Sequence, residues 1–416
     1  MKILKIPPYY APELISSSHL TDDLEKAYVA AGHTIEIYAP TPSRGVSDEV
    51  REEYKKIKYE QKLGGKVTVR RFSMVKEGSN PILRALRYII IARKQRKLAM
   101  KSKDVDVITC STTPPTLGLT AARIAKKLSK KQGKKVSFIF SVQDLFPDSL
   151  ASTGLAKKGS PIYKLGAKIA KKIYNCADLI ITISEDIKKN IVSQGVPEEK
   201  VRVIFNWVNT DEVKPVAKEE NKLFSELSID KDKFNVVYAG NLGMAQGAEV
   251  IVEAARELRD RGDIAFTVFG KGAREEYIRS LAEGLDNIKF FPLMPAERVS
   301  EVYSLADASI VCCKPGSAGA CVPSKTWSIM ACATPLLVAF DKGCELDRVI
   351  TAAGAGLVSD PMDHKALAQN VLKLAEDKEL TAGMGRAARE YVTENATASI
   401  SCAKYIAALE EVSGAK

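Results

Sequence analysis

Short apolar runs alternate with longer stretches of helical period along almost the whole chain. In the first half the runs are KILKI (2–6), HTIEIYAP (33–40), VTVRRF (67–72), DVITCS (106–111), VSFIFSV (136–142), DLIITIS (178–184) and VRVIF (201–205). Several are nearly continuous in β-branched residues, which suits strands covered on both faces, as in parallel sheets flanked by helices. The alternation pauses over 206–232, a polar stretch containing Pro215, which reads as an interdomain connection. It resumes with FNVVYAG (234–240), IAFTVFG (264–270), NIKFFPL (287–293), ASIVCCK (308–314), PLLVAF (335–340) and GAGLVSD (354–360), and a helical tail runs from about Lys365 to the end. The pattern predicts an α/β chain of two Rossmann-like, doubly wound domains in tandem, with ligands where strand C-termini meet helix N-termini. A length of 416 residues fits two cores of roughly 200 residues better than one.

Composition adds exclusions. No window reaches about 18 uncharged apolar residues. The nearest, YIIIA (88–92), is closed at once by Arg93 and Lys94. The opening MKILKIPPYYAPE lacks the apolar run of a signal peptide. The eight cysteines have no regular metal spacing, and the histidines are only His19, His33 and His364. The expectation is a cytoplasmic protein with reduced thiols and no histidine-rich metal centre.

Charge divides the chain. Residues 1–200 hold 37 Lys/Arg against 20 Asp/Glu, while the remainder holds 25 against 31. The excess is concentrated in 80–103, with Arg84, Arg87, Arg93, Lys94, Arg96, Lys97, Lys101 and Lys103 and no acid, and in 156–174, with six lysines. In the first segment Ile82, Leu86, Ile89 and Ile90 share one helical side; in the second, Ile162, Tyr163, Leu165, Ile169 and Ile173 are interleaved with the lysines. Basic amphipathic helices of this kind predict attachment to an anionic membrane surface. A nucleic-acid partner is disfavoured, because no aromatic-interleaved basic motif accompanies the charge.

Three strand–turn–helix junctions in the second half carry candidate chemistry. YAGNLGMAQG (238–247) turns on Gly240 and Gly243, with Asn241 and Gln246 between strand and helix. Glycines let the backbone approach a ligand, and a helix N-terminus attracts phosphate; a plain βα turn is the competing reading. VFGKGARE (268–275) places Lys271 between Gly270 and Gly272, where it serves a diphosphate or only solvent. GSAGACVPSKTWSIMACATPLL (316–337) is a small-residue loop running into Pro323, Ser324 and Lys325, read as the first turn of a helix with serine capping chemistry. Three such junctions at one sheet edge favour a shared phosphate-bearing ligand. In the first half, SVQDLFPDSL (141–150) offers Asp144 at a strand end, where a carboxylate orients or deprotonates an acceptor hydroxyl.

Taken together, GNLGMAQG, FGKG, ADASIVCCK and PSKTWSIMACATP, with AGHTIEIYAP, DLFPDSL, CADLIITISEDIKKNI and VIFNWVNTDEVKP in the first half, resemble the retaining glycosyltransferases of GT-B fold, family 4. The likeness is to the WbuB-like transferases of sugar-antigen and exopolysaccharide synthesis, and it covers nearly the whole chain in order. The resemblance implies an acceptor-binding domain (1–206), a nucleotide-sugar-binding domain (207–392) and a final segment (393–416) that returns to the first domain. It implies a nucleotide-sugar donor, UDP-linked by preference, a lipid-linked or surface-polysaccharide acceptor, catalysis in the cleft between the domains, no cofactor, no metal, and a place at the inner face of the cytoplasmic membrane. Lys271, Lys325 and backbone N–H groups near Gly240, Asn241 and Gly243 are then the groups that stabilise the leaving diphosphate. The chain departs from the family at several points. Two family glutamates spaced eight apart fall on Ala320 and Ser328, a glycine falls on Ala333, and a phosphate-loop lysine falls on Gln246. The glycine pair of the N-terminal loop falls near Ile15 and Ser16, and the histidine before the acceptor-side aspartate is missing at Val142–Gln143. Glu345, at the next strand end, is the substitute carboxylate on this reading. A nucleotide-sugar 2-epimerase of the same fold, and a degenerate transferase that binds a nucleotide sugar without turnover, are the competing functions.

Overall fold

The computed structural model describes residues 1–13, 18–78, 80–152, 156–316 and 322–414. The chain divides into two compact units, one of Met1–Asp148, Lys158–Phe205 and Ser401–Lys416, the other of Ser149–Lys157 and Asn206–Ile400.

Unit 1 is built on an eight-stranded sheet in the order β3-β4-β2-β1-β5-β6-β7-β8. Its strands are β1 (Lys2–Lys5), β2 (Thr34–Pro40), β3 (Tyr59–Lys62), β4 (Val67–Phe72), β5 (Val107–Ser111), β6 (Ser137–Val142), β7 (Leu179–Thr182) and β8 (Val201–Val203). All pair in parallel except β3, which runs antiparallel at the edge. The parallel strands match the apolar runs, most closely where both faces are covered, as in β7, whose four residues are all buried. β3 has no such run: its residues YEQK alternate between exposed and half-buried on an edge, so nothing in its pattern marks a strand.

Two helices of unit 1 carry the basic segments. Helix α3 (Pro81–Ala99) is capped by Asn80, whose side chain accepts from the backbone N–H of Ile82 and Leu83. Its orientation reverses the usual amphipathic arrangement. Arg87, Ile91, Gln95 and Ala99 face inward, while Ile82, Leu83, Leu86 and Ile89 are exposed. Arg87 is therefore no part of a basic surface, contrary to the sequence expectation: it is buried, paired with Glu77, and donates to the Val75 carbonyl and the Ser43 hydroxyl. In the second helix, α6 (Pro161–Cys176), Ile162 and Leu165 are exposed beside Lys164, Lys168, Lys171 and Lys172.

Unit 2 holds a six-stranded, all-parallel sheet in the order β11-β10-β9-β12-β13-β14. The strands are β9 (Phe234–Asn241), β10 (Ile264–Lys271), β11 (Ile288–Phe291), β12 (Ala308–Cys312), β13 (Leu336–Ala339) and β14 (Gly356–Ser359). The core lies between this sheet and helices that include α9 (Glu249–Glu257) and α14 (His364–Glu376). Helix α15 (Lys378–Asn395) follows, and α16 (Ala398–Ser413) passes into unit 1, where the Ser401 hydroxyl donates to the Phe205 carbonyl and the Ser137 hydroxyl to the Val412 carbonyl. No described helix is long and apolar enough to cross a membrane.

Candidate functional site

The strand order places the C-terminal ends of β10, β9 and β12 side by side, and register aligns Gly270 with Gly240 and Lys271 with Asn241. The two turns are then interlocked. The Leu242 N–H donates to the Lys271 carbonyl at 3.0 Å, and the Arg274 N–H donates to the Leu242 carbonyl at 2.9 Å. A Cβ on Gly272 would run into the Leu242 carbonyl and stand 2.6 Å from Asn241 Oδ1, so only glycine allows this approach. Asn241 Nδ2 also reaches Gln246 Oε1 at 3.4 Å, and a Cβ on Gly243 would meet both side chains at 2.6 Å. Asn241, Gly243 and Gln246 thus form one folded tip. The Ala245 carbonyl joins it to the strand-end residue Lys314 of the third junction, whose N–H donates to it.

Lys325 opens helix α12 (Lys325–Ala331) and brings a cation to this edge. Its Nζ lies 3.8 Å from the centroid of the Tyr238 ring, beside Gly240, where an added Cβ would stand only 2.5 Å away. No carboxylate is within ion-pair distance of Lys325 among the described residues. Desolvation lowers its pKa from 10.5 to about 8, partly opposed by the nearby Cys312 thiol. Lys271 is exposed, and no acid pairs with it among the described residues.

Two expectations about helix ends are corrected. Ser324 and Pro323 precede α12 instead of forming its first turn, and the Ser324 side chain makes no capping bond, because its own backbone is already helical. The N-terminus of α9 does not present a bare positive end either. Its first residue, Glu249, takes up that potential and pairs with Arg274 and, at 3.7 Å, with Lys314. At the α9 junction the cations without an acidic partner among the described residues are therefore Lys325 and Lys271.

The remaining candidates lie elsewhere. Glu345 begins α13 (Glu345–Ala353) after β13, a strand that does not adjoin β9, and is buried and paired with Arg348 at 3.0 Å. Ala320, and the loop residues 317–321 with it, lie outside the described residues, as do Ile15 and Ser16; Ser328 is half-buried on α12. Ala333 adopts φ 54°, the left-handed conformation that a glycine occupies most easily. Asp144 is in unit 1, just beyond β6, and desolvation raises its carboxyl above the ordinary aspartate range. Sequence reasoning assigned no role to Tyr238 or to the Glu249–Arg274 pair. For Tyr238 the one sequence signal is its position two residues before Gly240. Among the described residues no cluster of His, Cys, Asp and Glu has the makings of a metal site.

Two family models match the chain: Glycosyltransferase Family 4 over residues 18–212, and Glycosyl transferases group 1 over residues 219–391. A putative colanic acid biosynthesis glycosyl transferase, WcaI of Escherichia coli (strain K12), is 26% identical over 377 residues, covering 89% of this chain and 91% of that protein. A probable glycosyltransferase, WbjE of Pseudomonas aeruginosa, is 28% identical over 313 residues, covering 75% and 76%. Among solved structures, sucrose-phosphate synthase from Thermosynechococcus elongatus superposes with a TM-score of 0.77 at 15% identity, over 100% of both chains. Anabaena HepE in complex with UDP superposes with a TM-score of 0.73 at 15% identity, over 99% of this chain and 100% of that one.

Proposed function

Because the chain is a glycosyltransferase of GT-B fold, with a family 4 domain followed by a group 1 domain, we propose that it transfers a sugar from a nucleoside-diphosphate donor to a lipid-linked or surface-polysaccharide acceptor, with retention of configuration. The observation that carries the donor half is Lys325, an ammonium with no acidic partner among the described residues, beside Gly240 at the meeting of the β9 and β10 turns. A departing diphosphate develops negative charge as its bond to the sugar breaks, and a cation already in place lowers that barrier without reorganising. Lys271 is the second cation of this reading, and the glycine-rich tip Gly240–Gly243 gives the phosphates close backbone approach. A UDP-linked donor is favoured by the UDP bound to HepE, and a polysaccharide acceptor and the WbuB-like grouping by the name of WcaI.

On the acceptor side, Asp144 orients or deprotonates the attacking hydroxyl. A raised carboxyl pKa makes it a better proton acceptor than an ordinary aspartate. No metal or cofactor takes part in this proposal; lysine charge takes the place of a divalent ion. Glu345 is kept only as a lesser donor contact, since its charge is already committed to Arg348. The exposed apolar faces of α3 and α6, bordered by arginines and lysines, dock unit 1 on an anionic membrane surface, at the inner face of the cytoplasmic membrane in this reading.

The test is incubation with a panel of UDP- and GDP-sugars, with and without a polyprenyl-diphosphate-linked sugar acceptor, followed by nucleoside-diphosphate release and NMR of the new linkage. Acceptor-dependent release with one donor, and an anomeric configuration equal to that of the donor, is the expected result. Donor binding with no turnover under any condition would instead identify a degenerate binding protein.

A further inference from the structure

The geometry points to Tyr238 as the positioning residue for Lys325: its ring holds the ammonium at the strand edge without neutralising it, and its hydroxyl fixes the glycine-rich tip that the same ammonium serves. The inference rests on the donor reading above and names the residue that makes the lysine effective.

The side chain of Tyr238 is 1% exposed, so its ring is a rigid element of the β9 core and not a surface group. One face lies 3.8 Å from Lys325 Nζ, well inside the range of a cation–π contact. The hydroxyl donates to the Asn241 carbonyl at 2.8 Å, across the turn. One side chain thereby connects the cation of α12 to the tip formed by Asn241, Gly243 and Gln246. Gly240 completes the arrangement, since any Cβ there would occupy the space the ammonium uses.

The choice of a ring over a carboxylate has a chemical consequence. A lysine side chain is long and flexible, and needs an anchor to stay in one place. An aspartate or glutamate would anchor it but cancel its charge, and an incoming diphosphate would have to displace that partner. The face of an aromatic ring attracts the cation through its quadrupole and leaves the full charge and the three N–H donors for the ligand.

The experiment compares Tyr238→Phe, Tyr238→Met, Lys325→Ala and the double variant Tyr238→Met/Lys325→Ala. Affinity is measured by calorimetry for whichever of UDP and GDP binds the wild-type protein. Tyr238→Met is expected to weaken binding on the order of tenfold, whereas Tyr238→Phe, which restores the ring, weakens it about threefold or less. On the Lys325→Ala background, Tyr238→Met should add little. A full additional loss in the double variant would show that Tyr238 acts independently of the lysine and would overturn the proposal. If Lys325→Ala leaves affinity unchanged, the donor reading itself fails. If Lys325→Ala weakens binding and Tyr238→Met does not, only the positioning role fails. A second measurement uses the intact wild-type protein with ¹³C-labelled lysine, the Lys325 signal being assigned by Lys325→Arg. Upfield-shifted Cε protons, from a ring in contact, are expected. A random-coil shift would overturn the proposal even if the methionine variant does not fold.

Discussion

Replacing Lys325 by methionine should make the protein more stable and worse at binding its donor. The folded state holds this ammonium in a partly desolvated place, with its pKa lowered from 10.5 to about 8. At 1.36 kcal/mol per pKa unit, carrying the charge there costs about 3 kcal/mol at pH 7. The Tyr238 face returns about 1 kcal/mol of that, leaving about 2 kcal/mol that an uncharged side chain of similar length would recover. The sign fixes the pH window. The unfolded chain keeps this proton up to about 10.5 and the folded chain releases it near 8, so between those values the unfolded state binds more protons and wild-type stability rises with pH. Lys325→Met abolishes that rise. Both tryptophans, Trp207 and Trp327, belong to unit 2, so urea denaturation followed by tryptophan fluorescence reports on the unit that contains the lysine. The expected result is a variant about 2 kcal/mol more stable than wild type at pH 7, with the gap mostly closed at pH 10, and a nucleoside-diphosphate affinity lower by roughly 10- to 100-fold. A variant less stable than wild type at pH 7, or a gap that is the same at both pH values, would refute the reasoning.

Nucleoside-diphosphate affinity of the wild-type protein should fall as pH climbs past about 8, and titration calorimetry from pH 6.5 to 9.5 checks it; a flat profile removes Lys325 from the site. Ala333→Gly, at φ 54°, should stabilise unit 2 by about 1 kcal/mol in the same urea assay, because glycine enters the left-handed region without the Cβ penalty. Gly272→Ala should lower donor affinity severalfold, since its Cβ would force apart the Leu242 carbonyl and the turn that bears Lys271; unchanged calorimetry would show the tip to be compliant. Ile82→Glu with Leu86→Glu should abolish sedimentation with phosphatidylglycerol vesicles while donor affinity holds, whereas vesicle binding that survives would remove α3 from the membrane surface.

The fold was legible wherever burial dictated composition. Strands buried along their whole length, such as β7, β12 and β13, had to be apolar runs, and even the partly buried β4, β11 and β14 kept enough apolar residues to stand out in the sequence. β3 did not, because an exposed antiparallel edge demands no such run. The candidate site was legible only in part. Gly240 and Gly272 announced turns, since backbone geometry and close approach leave few alternatives there. The contact between Tyr238 and Lys325 bridges residues far apart in the chain and depends on β12 pairing beside β9, an ordering that no local pattern encodes. Arg87 departs from the expected exposure for a related reason. A residue's charge predicts exposure, yet Glu77 and the Val75 carbonyl supply the partners that let this guanidinium turn inward. Glu249 carries no sequence signal because an acid at a helix start is ordinary; the fold places it in the first turn of α9, paired with Arg274.

The passage of α16 into unit 1 bears on how the protein is made. Ser401 and Phe205, joined by a hydrogen bond, are 196 positions apart, and most of unit 2 lies between them. On a ribosome, the strands of the first sheet emerge early but wait without their last helix while the second sheet is synthesised and folds. During that interval the carbonyl of Phe205 and the hydroxyl of Ser137 lack the partners that α16 brings. Unit 2 has no such dependence, because its six strands emerge in one continuous stretch. Nascent chains stalled before Ser401 should therefore show a protease-resistant second unit and a cleavable first one, so the unit encoded later is finished before the unit encoded first.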